Sequence, residues 1–264
     1  MNLMELLVIQ QPERKEIDIL NVTVDNIGFN ELLKQLGQGG VVFTPNIDHL
    51  VKLQKDQEFY EVYMQADYRV CDSQLLLLAS RFLGTPLKEK ISGSDLFPAF
   101  YKFYAKSDDV KIFLLGGKEG AAEAAQQNIN QKVGRKIIVE TYCPPMGFEN
   151  DPEECAKIIQ IINESGANVL AVGVGAPKQE KWIAQHKNEL SHQVKTFLAI
   201  GATIDFEAGI TARAPNWISQ AGLEWLYRLL AEPKRLWKRY LIDDPVFFFL
   251  IALQRLNLYG KSSQ

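Results

Sequence analysis

Short runs of apolar, mostly β-branched residues recur through the first four fifths of the chain: Ile17 to Val24, Val41 to Phe43, Tyr68 to Cys71, Val110 to Leu115, Lys136 to Thr141, Val169 to Val174 and Lys195 to Ile200. Each is short and bounded by polar or glycine-containing stretches, which predicts a strand. Between them apolar residues fall at helical spacing, as in the Ala- and Gln-rich segment Gly120 to Lys132 and in Pro152 to Glu164, which follows an Asp-Pro start. Strand and helix taking turns predicts an α/β fold with a mostly parallel, Rossmann-like sheet and helices on both faces. A ligand would then sit beyond the carboxyl ends of the strands. From about Thr211 the strands stop, and Pro215, Pro233 and Pro245 break the remaining pattern into three short helices. The boundary is expected between Ala208 and Pro215, giving an α/β domain over 1–210 and a helical appendage over 211–264.

Charge changes this picture at the carboxyl end. Residues 211–264 carry eight Lys or Arg against four Asp or Glu, a net of +4, while the rest of the chain has 21 against 28, a net of −7. The basic residues Arg213, Arg228, Lys234, Arg235, Lys238 and Arg239 are interleaved with Trp217, Trp225 and Trp237 and followed by the apolar run Val246 to Leu253. Aromatic rings and long basic side chains suit the headgroup layer of an anionic membrane. The run is far short of the roughly 20 residues that a spanning helix needs. The opening stretch Met1 to Pro12 has no basic region and no small-residue cleavage site, which argues against a secretory signal. The expected location is therefore cytoplasmic, peripherally associated with the inner face of the cell membrane, and no nucleic acid is expected as a partner. Cys71, Cys143 and Cys155 form no paired set, so neither a disulfide framework nor a zinc site is indicated.

The polar residues that could do chemistry cluster at strand ends. Phe113 to Gly120 runs from a strand through Gly116 and Gly117 into a helix, which either packs strand on helix closely or lets backbone amides face a phosphate. Ala171 to Trp182 repeats the arrangement, with Gly175 in the turn, Pro177 at the helix start and Lys178 and Gln179 projecting into the crevice. Thr44 and Asn46 end another strand. Asp72 ends the next, where it is either the cap of the following apolar helix or a general base whose acidity burial can tune. Ser94 or Asp95 reads as a further helix cap, with Lys90 close by. Asp205 and Glu207 make a weak metal pair without a third ligand, and the chain has no D-x-D triplet. Neither a metal nor a cofactor is expected. His49 is the one histidine near the crevice; His186 and His192 read as surface or capped residues. Leu115 to Gly120 with Glu140 also admits a nicotinamide-dependent oxidoreductase, although the first glycine of that fingerprint is missing. A non-catalytic membrane adaptor is the third reading, and it leaves the strand-end clusters without a purpose.

Taken in order, Thr44-Pro-Asn-Ile-Asp-His-Leu-Val, Cys71-Asp-Ser, Ser92-Gly-Ser-Asp-Leu-Phe-Pro, Phe113-Leu-Leu-Gly-Gly, Val172-Gly-Val-Gly-Ala-Pro-Lys-Gln-Glu-Lys-Trp, Arg213-Ala-Pro-Asn-Trp and Gly222-Leu-Glu-Trp-Leu-Tyr-Arg-Leu closely resemble the WecG/TagA/CpsF glycosyltransferase family, from about Ile17 to Tyr259. The resemblance implies an inverting enzyme that moves an N-acetylhexosamine, typically N-acetylmannosamine, from a UDP-sugar to a polyprenyl-diphosphate-linked N-acetylglucosamine in cell-surface polysaccharide synthesis, such as that of teichoic-acid linkage units. It implies Asp72 as the base, Thr44 and Gln179 in the donor site, and Arg228, Arg235 and Arg239 as appendage groups that close the site at the membrane. It also suggests self-association as a homo-oligomer. Lys90 stands where the family has an arginine, offering a point charge in place of a two-pronged grip on a diphosphate. Cys71 and Ser73 replace the proline and glycine that flank the family's base.

Overall fold

A computed structural model describes residues 15–260. The amino-terminal stretch weighed against a secretory signal lies outside the described residues. Two short strands, β1 (Glu16–Ile19) and β2 (Val22–Asp25), form an antiparallel hairpin. This corrects the expectation of a single strand from Ile17 to Val24. The alternation of Ile17 and Ile19 resumes at Val22 and Val24 only after a three-residue step, and the turn at Leu20 and Asn21 takes up that step with Leu20 at φ 57°.

The other six strands are β3 (Gly40–Phe43), β4 (Tyr68–Arg69), β5 (Ile112–Gly116), β6 (Ile138–Tyr142), β7 (Val169–Gly173) and β8 (Thr196–Ala199). They form one parallel sheet in the order β4-β3-β8-β7-β5-β6. Successive rows across it feed opposite cores, as the period of two requires. Phe113, Leu170, Phe197 and Val41 stand in register and bury into one face; Leu114, Ala171, Leu198 and Val42 bury into the other. The sheet is thus covered on both sides, and its central strands carry no polar alternation.

The strand order creates the crevice. The chain lays β3 and β4 on one side and β5 and β6 on the other, then fills the gap with β7 and β8. The helices that follow β3 and β7, Ile47–Lys52 and Lys178–Leu190, pack into the first core. Those that follow β5 and β8, Ala121–Val133 and Thr203–Glu207, pack into the second. Neighbouring turns therefore part to opposite faces and leave an opening at the carboxyl ends of the strands.

Among the described residues beyond Thr211 there are four α-helices, Asn216–Gln220, Glu224–Ala231, Pro233–Lys238 and Pro245–Arg255, with a π-helical turn Arg239–Asp243 before the last. Three were expected. The extra break falls at Gly222, whose φ of 75° ends the first helix without a proline. Pro233 and Pro245 occupy first-turn positions, where a missing N–H costs nothing. The last helix buries Phe247 and Ile251 in the first core. Its Gln254 side chain accepts from the Leu20 amide at 2.8 Å and donates to the Asp18 carbonyl at 3.2 Å. Among the described residues no helix is long and apolar enough to cross a membrane.

Candidate active site

A cavity of about 840 Å³ occupies the crevice. It is walled by Thr44, Asn46, Asp72, Gly116, Gly117, Gly175, Lys178, Gln179, Arg228, Arg235 and Arg239, so of the residues that the strand ends and the family resemblance together assign to base or substrate, all but one meet there. The exception is Lys90, which lines an adjoining cavity of about 330 Å³.

The glycine turn after β5 is explained first by packing. A Cβ on Gly116, at φ 113°, would lie 2.7 Å from the Gly173 carbonyl, and one on Gly117 would lie 2.8 Å from Ile204. Only glycine lets β5 and β7 run this close with such a backbone. The same turn leads into Ala121–Val133, while Gly93–Phe103 and Lys178–Leu190 also begin at the cavity, since Gly93, Ser94 and Lys178 line it. Two helices of at least ten residues thus begin at the wall of one space and a third begins just beyond it, which favours an anion there. Gln179 is buried and held at both ends: its Oε1 accepts from the Gly201 amide at 3.1 Å and its Nε2 donates to Glu180 at 2.8 Å. Lys178 pairs with Glu149 at 2.6 Å, tying the loop after β6 to the start of its helix.

Asp72 lies where the two cavities meet and lines both. Its backbone amide donates to the Pro45 carbonyl at 2.8 Å, and the Thr44 hydroxyl donates to its carboxylate at 3.4 Å. The alternative reading of Asp72 as a helix cap fails, because Ser73 is the cap and accepts from the Leu76 amide at 3.3 Å. The carboxylate is therefore left for other work. Burial pushes its pKa up to about 7, with Glu224 adding to the rise while Arg228 and Lys90 oppose it. A carboxyl poised there can accept a proton near neutral pH and hold it. The cap of the next helix is likewise corrected: Ser92, not Ser94 or Asp95, accepts from the Asp95 amide at 3.2 Å, and Asp95 instead pairs with Arg213 at 2.5 Å.

The second cavity differs in character. Lys90, Glu224, Arg228 and Arg239 sit beside Asp72, and Ile47, Leu75, Trp225 and Phe248 form an apolar rim. Arg239 stands 3.6 Å from Asp48 and 3.8 Å from Asp244, joining the π turn to the helix after β3. Arg235 lines the larger cavity, pairs with Glu232 and is largely exposed.

Of the other candidates, Asp205 and His49 also line the larger cavity, while Glu207 and Glu140 line neither. Asp205 accepts from the Lys118 amide at 2.9 Å, fixing the turn after β5. Glu207 receives the Tyr101 hydroxyl and pairs with Lys132 at 2.8 Å. Glu140, the acid that prompted the nicotinamide reading, lines neither cavity and accepts from its neighbour's amide, that of Thr141. His49 is buried against the Tyr63 hydroxyl at 3.2 Å, and burial lowers its pKa to about 3, so its imidazole is neutral. The sequence reading missed two contributors. The loop Cys143 to Glu149 walls the larger cavity, and the strand-end rule applied to β6 would have found it. Glu224 lies within the Gly222-Leu-Glu-Trp motif, but its basic and aromatic surroundings read as membrane surface.

The model of the family described as "Glycosyl transferase WecG/TagA/CpsF family" matches residues 17–261. The chain is 28% identical over 246 residues to an N-acetylglucosaminyldiphosphoundecaprenol N-acetyl-beta-D-mannosaminyltransferase of Staphylococcus aureus strain MRSA252, covering 90% of this chain and 92% of that protein. The protein of the same description from strain NCTC 8325 / PS 47 is 28% identical over 245 residues, with the same coverage.

Proposed function

The chain belongs to the WecG/TagA/CpsF glycosyltransferase family, and from that premise we propose that it transfers N-acetylmannosamine from a UDP-sugar to a polyprenyl-diphosphate-linked N-acetylglucosamine at the inner face of the cytoplasmic membrane. The observation that carries this reading is the position of Asp72 between two unlike cavities. The larger one, glycine-walled and facing helix N-termini, suits a nucleotide diphosphate sugar. The smaller one, with cations inside and an apolar rim, suits a sugar diphosphate whose lipid leaves toward the bilayer.

In this scheme Asp72 takes the proton of the acceptor hydroxyl. The acceptor oxygen forms its bond to the anomeric carbon from one face as the bond to UDP breaks on the other, so the configuration inverts. The negative charge that grows on the leaving diphosphate is met by Lys178, Arg235 and the helix ends, all of which border the larger cavity. The names of the Staphylococcus aureus relatives support the choice of acceptor and sugar.

Residues from 211 onward act in this reading as an appendage that both docks on the membrane and closes the site. Twelve of the seventeen large apolar side chains exposed among the described residues lie in it, including Trp217, Leu230, Trp237, Phe248 and Phe249. Helix Glu224–Ala231 buries none of its side chains, turning Leu226 and Leu230 outward while Trp225 and Arg228 line the cavity.

The test is a transfer assay with UDP-N-acetylmannosamine and a lipid-linked N-acetylglucosamine diphosphate acceptor. Wild-type protein should release UDP only when acceptor is present, and the product should carry the inverted linkage. Acceptor-independent UDP release, or no turnover with any UDP-N-acetylhexosamine, would overturn the proposal.

A further inference from the structure

Glu224 has no part in the scheme above, yet its carboxylate stands among the groups the scheme needs. Its Oε1 pairs with Arg228 at 2.6 Å, and its Oε2 accepts from Ser219 at 3.1 Å and stands 3.9 Å from Lys90. Lys90 in turn donates to the Ser219 hydroxyl at 2.8 Å. The two cations reach Glu224 from different parts of the chain, Lys90 from the loop before Gly93–Phe103 and Arg228 from one turn along Glu224's own helix. A diphosphate, with oxygens on two phosphorus atoms, is bound by the same division of labour between two cations.

Arg239, the third cation of the smaller cavity, is taken up by Asp48 and Asp244, which leaves Lys90 and Arg228 facing Asp72 and Glu224. A diphosphate entering the smaller cavity adds two or more negative charges to a partly desolvated site, which is unfavourable while both carboxylates keep their partners. One must yield. Asp72 is fixed at a strand end by its backbone bond to Pro45 and by Thr44. Glu224 sits on a helix that buries no side chain, so its rotation disturbs no core.

Resting on the transferase reading for its ligand class, we propose that Glu224 is an internal competitor for the diphosphate: it holds Lys90 and Arg228 in place, and the acceptor's diphosphate must displace it to bind. The exchange also acts on the appendage, because Lys90, Ser219 and Glu224 form the clasp between the body and the first two helices after Thr211. Arrival of the diphosphate breaks part of this clasp and replaces it with the ligand's own bridge between Lys90 and Arg228.

The experiment is calorimetric titration of the full-length protein with inorganic pyrophosphate. Glu224→Gln should bind the probe about tenfold more tightly than wild type, the scale of one hydrogen bond to a charged group. In a Lys90→Ala background the same substitution should bring less than half of that gain on the logarithmic scale, because one of the two released cations is gone. Equal affinity of Glu224→Gln and wild type overturns the proposal, and so does a full gain in the Lys90→Ala background, which would mark a general charge effect. Should Glu224→Gln fail to fold, Glu224→Asp, whose shorter stem holds the carboxylate farther from Lys90, should still tighten binding, and no gain there also overturns it. The transferase reading fails separately: a pyrophosphate gain in a protein that turns over no UDP-sugar sinks the reading and leaves the competitor standing, while turnover without a gain does the reverse.

Discussion

Asp72 has an ordinary aspartate value of 3.8 raised to about 7, chiefly by burial, and this fixes a pH range for both activity and stability. If Asp72 is the base, it must be ionised to act, so kcat/KM should fall with a slope of one below about pH 7 and level off above it. Asp72→Asn should remove transfer at every pH while UDP still binds; unchanged turnover would sink the assignment. For stability, the folded state binds this proton more tightly than the unfolded chain does. The group therefore favours folding below the unfolded value near 3.8, and that contribution is lost as pH rises through about 7. Asp72→Asn should accordingly raise the melting temperature at pH 8, on the order of 2–4 °C for each kcal/mol recovered, and leave it unchanged at pH 4. Glu224 and Asp95 raise this pKa and Arg228 and Lys90 lower it, so Glu224→Gln should move the acid limb of the kcat/KM profile to lower pH. An acid limb that stays in place would show that Glu224 does not act on Asp72 through charge.

At the scale of elements, what could be read in advance depended on whether the signal was periodic or positional. The central parallel strands were legible because a strand buried on both faces is a continuous apolar run, as at Ile112–Gly116 and Val169–Gly173. The helix Pro152–Ser165 was legible from Asp151 and Pro152, and the Asp151 side chain does accept from the amides of Glu153 and Glu154. Caps were harder, since in Asp72-Ser73 and Ser92-Gly-Ser-Asp95 several neighbours could each serve, and backbone geometry alone selects Ser73 and Ser92. That selection matters for the site, because a cap made by Asp72 would have taken the proposed base. Ser73→Ala should cost about 1 kcal/mol in denaturant unfolding, the usual worth of an N-cap, and Ser73→Asp should restore most of it. A null effect of Ser73→Ala would mean that a neighbour, Asp72 first, can take over the cap. The long-range pairs, such as Lys90 with Ser219, join positions that no local pattern links, so only the fold reveals them.

At the scale of the whole molecule, the role proposed for residues from 211 onward calls for substitutions that spare the body. Deleting everything after Thr211 is a poor test of the appendage, because Phe247 and Ile251 belong to the first core and Gln254 binds the hairpin backbone. Truncation would open the body as well as remove the tail. Helix Glu224–Ala231 allows a cleaner separation, since Leu226 and Leu230 are exposed on it one turn apart while Arg228 reaches the cavity. If this helix docks on lipid through its apolar side, Leu226→Glu with Leu230→Glu should release the protein from anionic vesicles and leave turnover of a short-chain soluble acceptor within about twofold, because exposed substitutions remove no core contact. Arg228→Ala should do the opposite, keeping vesicle binding and losing transfer by a factor of about ten or more, as expected when a charged partner of a diphosphate is removed. If basic side chains contribute to docking, vesicle binding of the wild type should also weaken as salt rises from 50 to 500 mM, where the Debye length shrinks from about 14 to about 4 Å. Co-sedimentation and the soluble-acceptor assay on the same samples separate the two roles. If the leucine pair and Arg228 lose vesicle binding and turnover together, docking and catalysis are one function of this helix, and the division of its two sides proposed here is wrong.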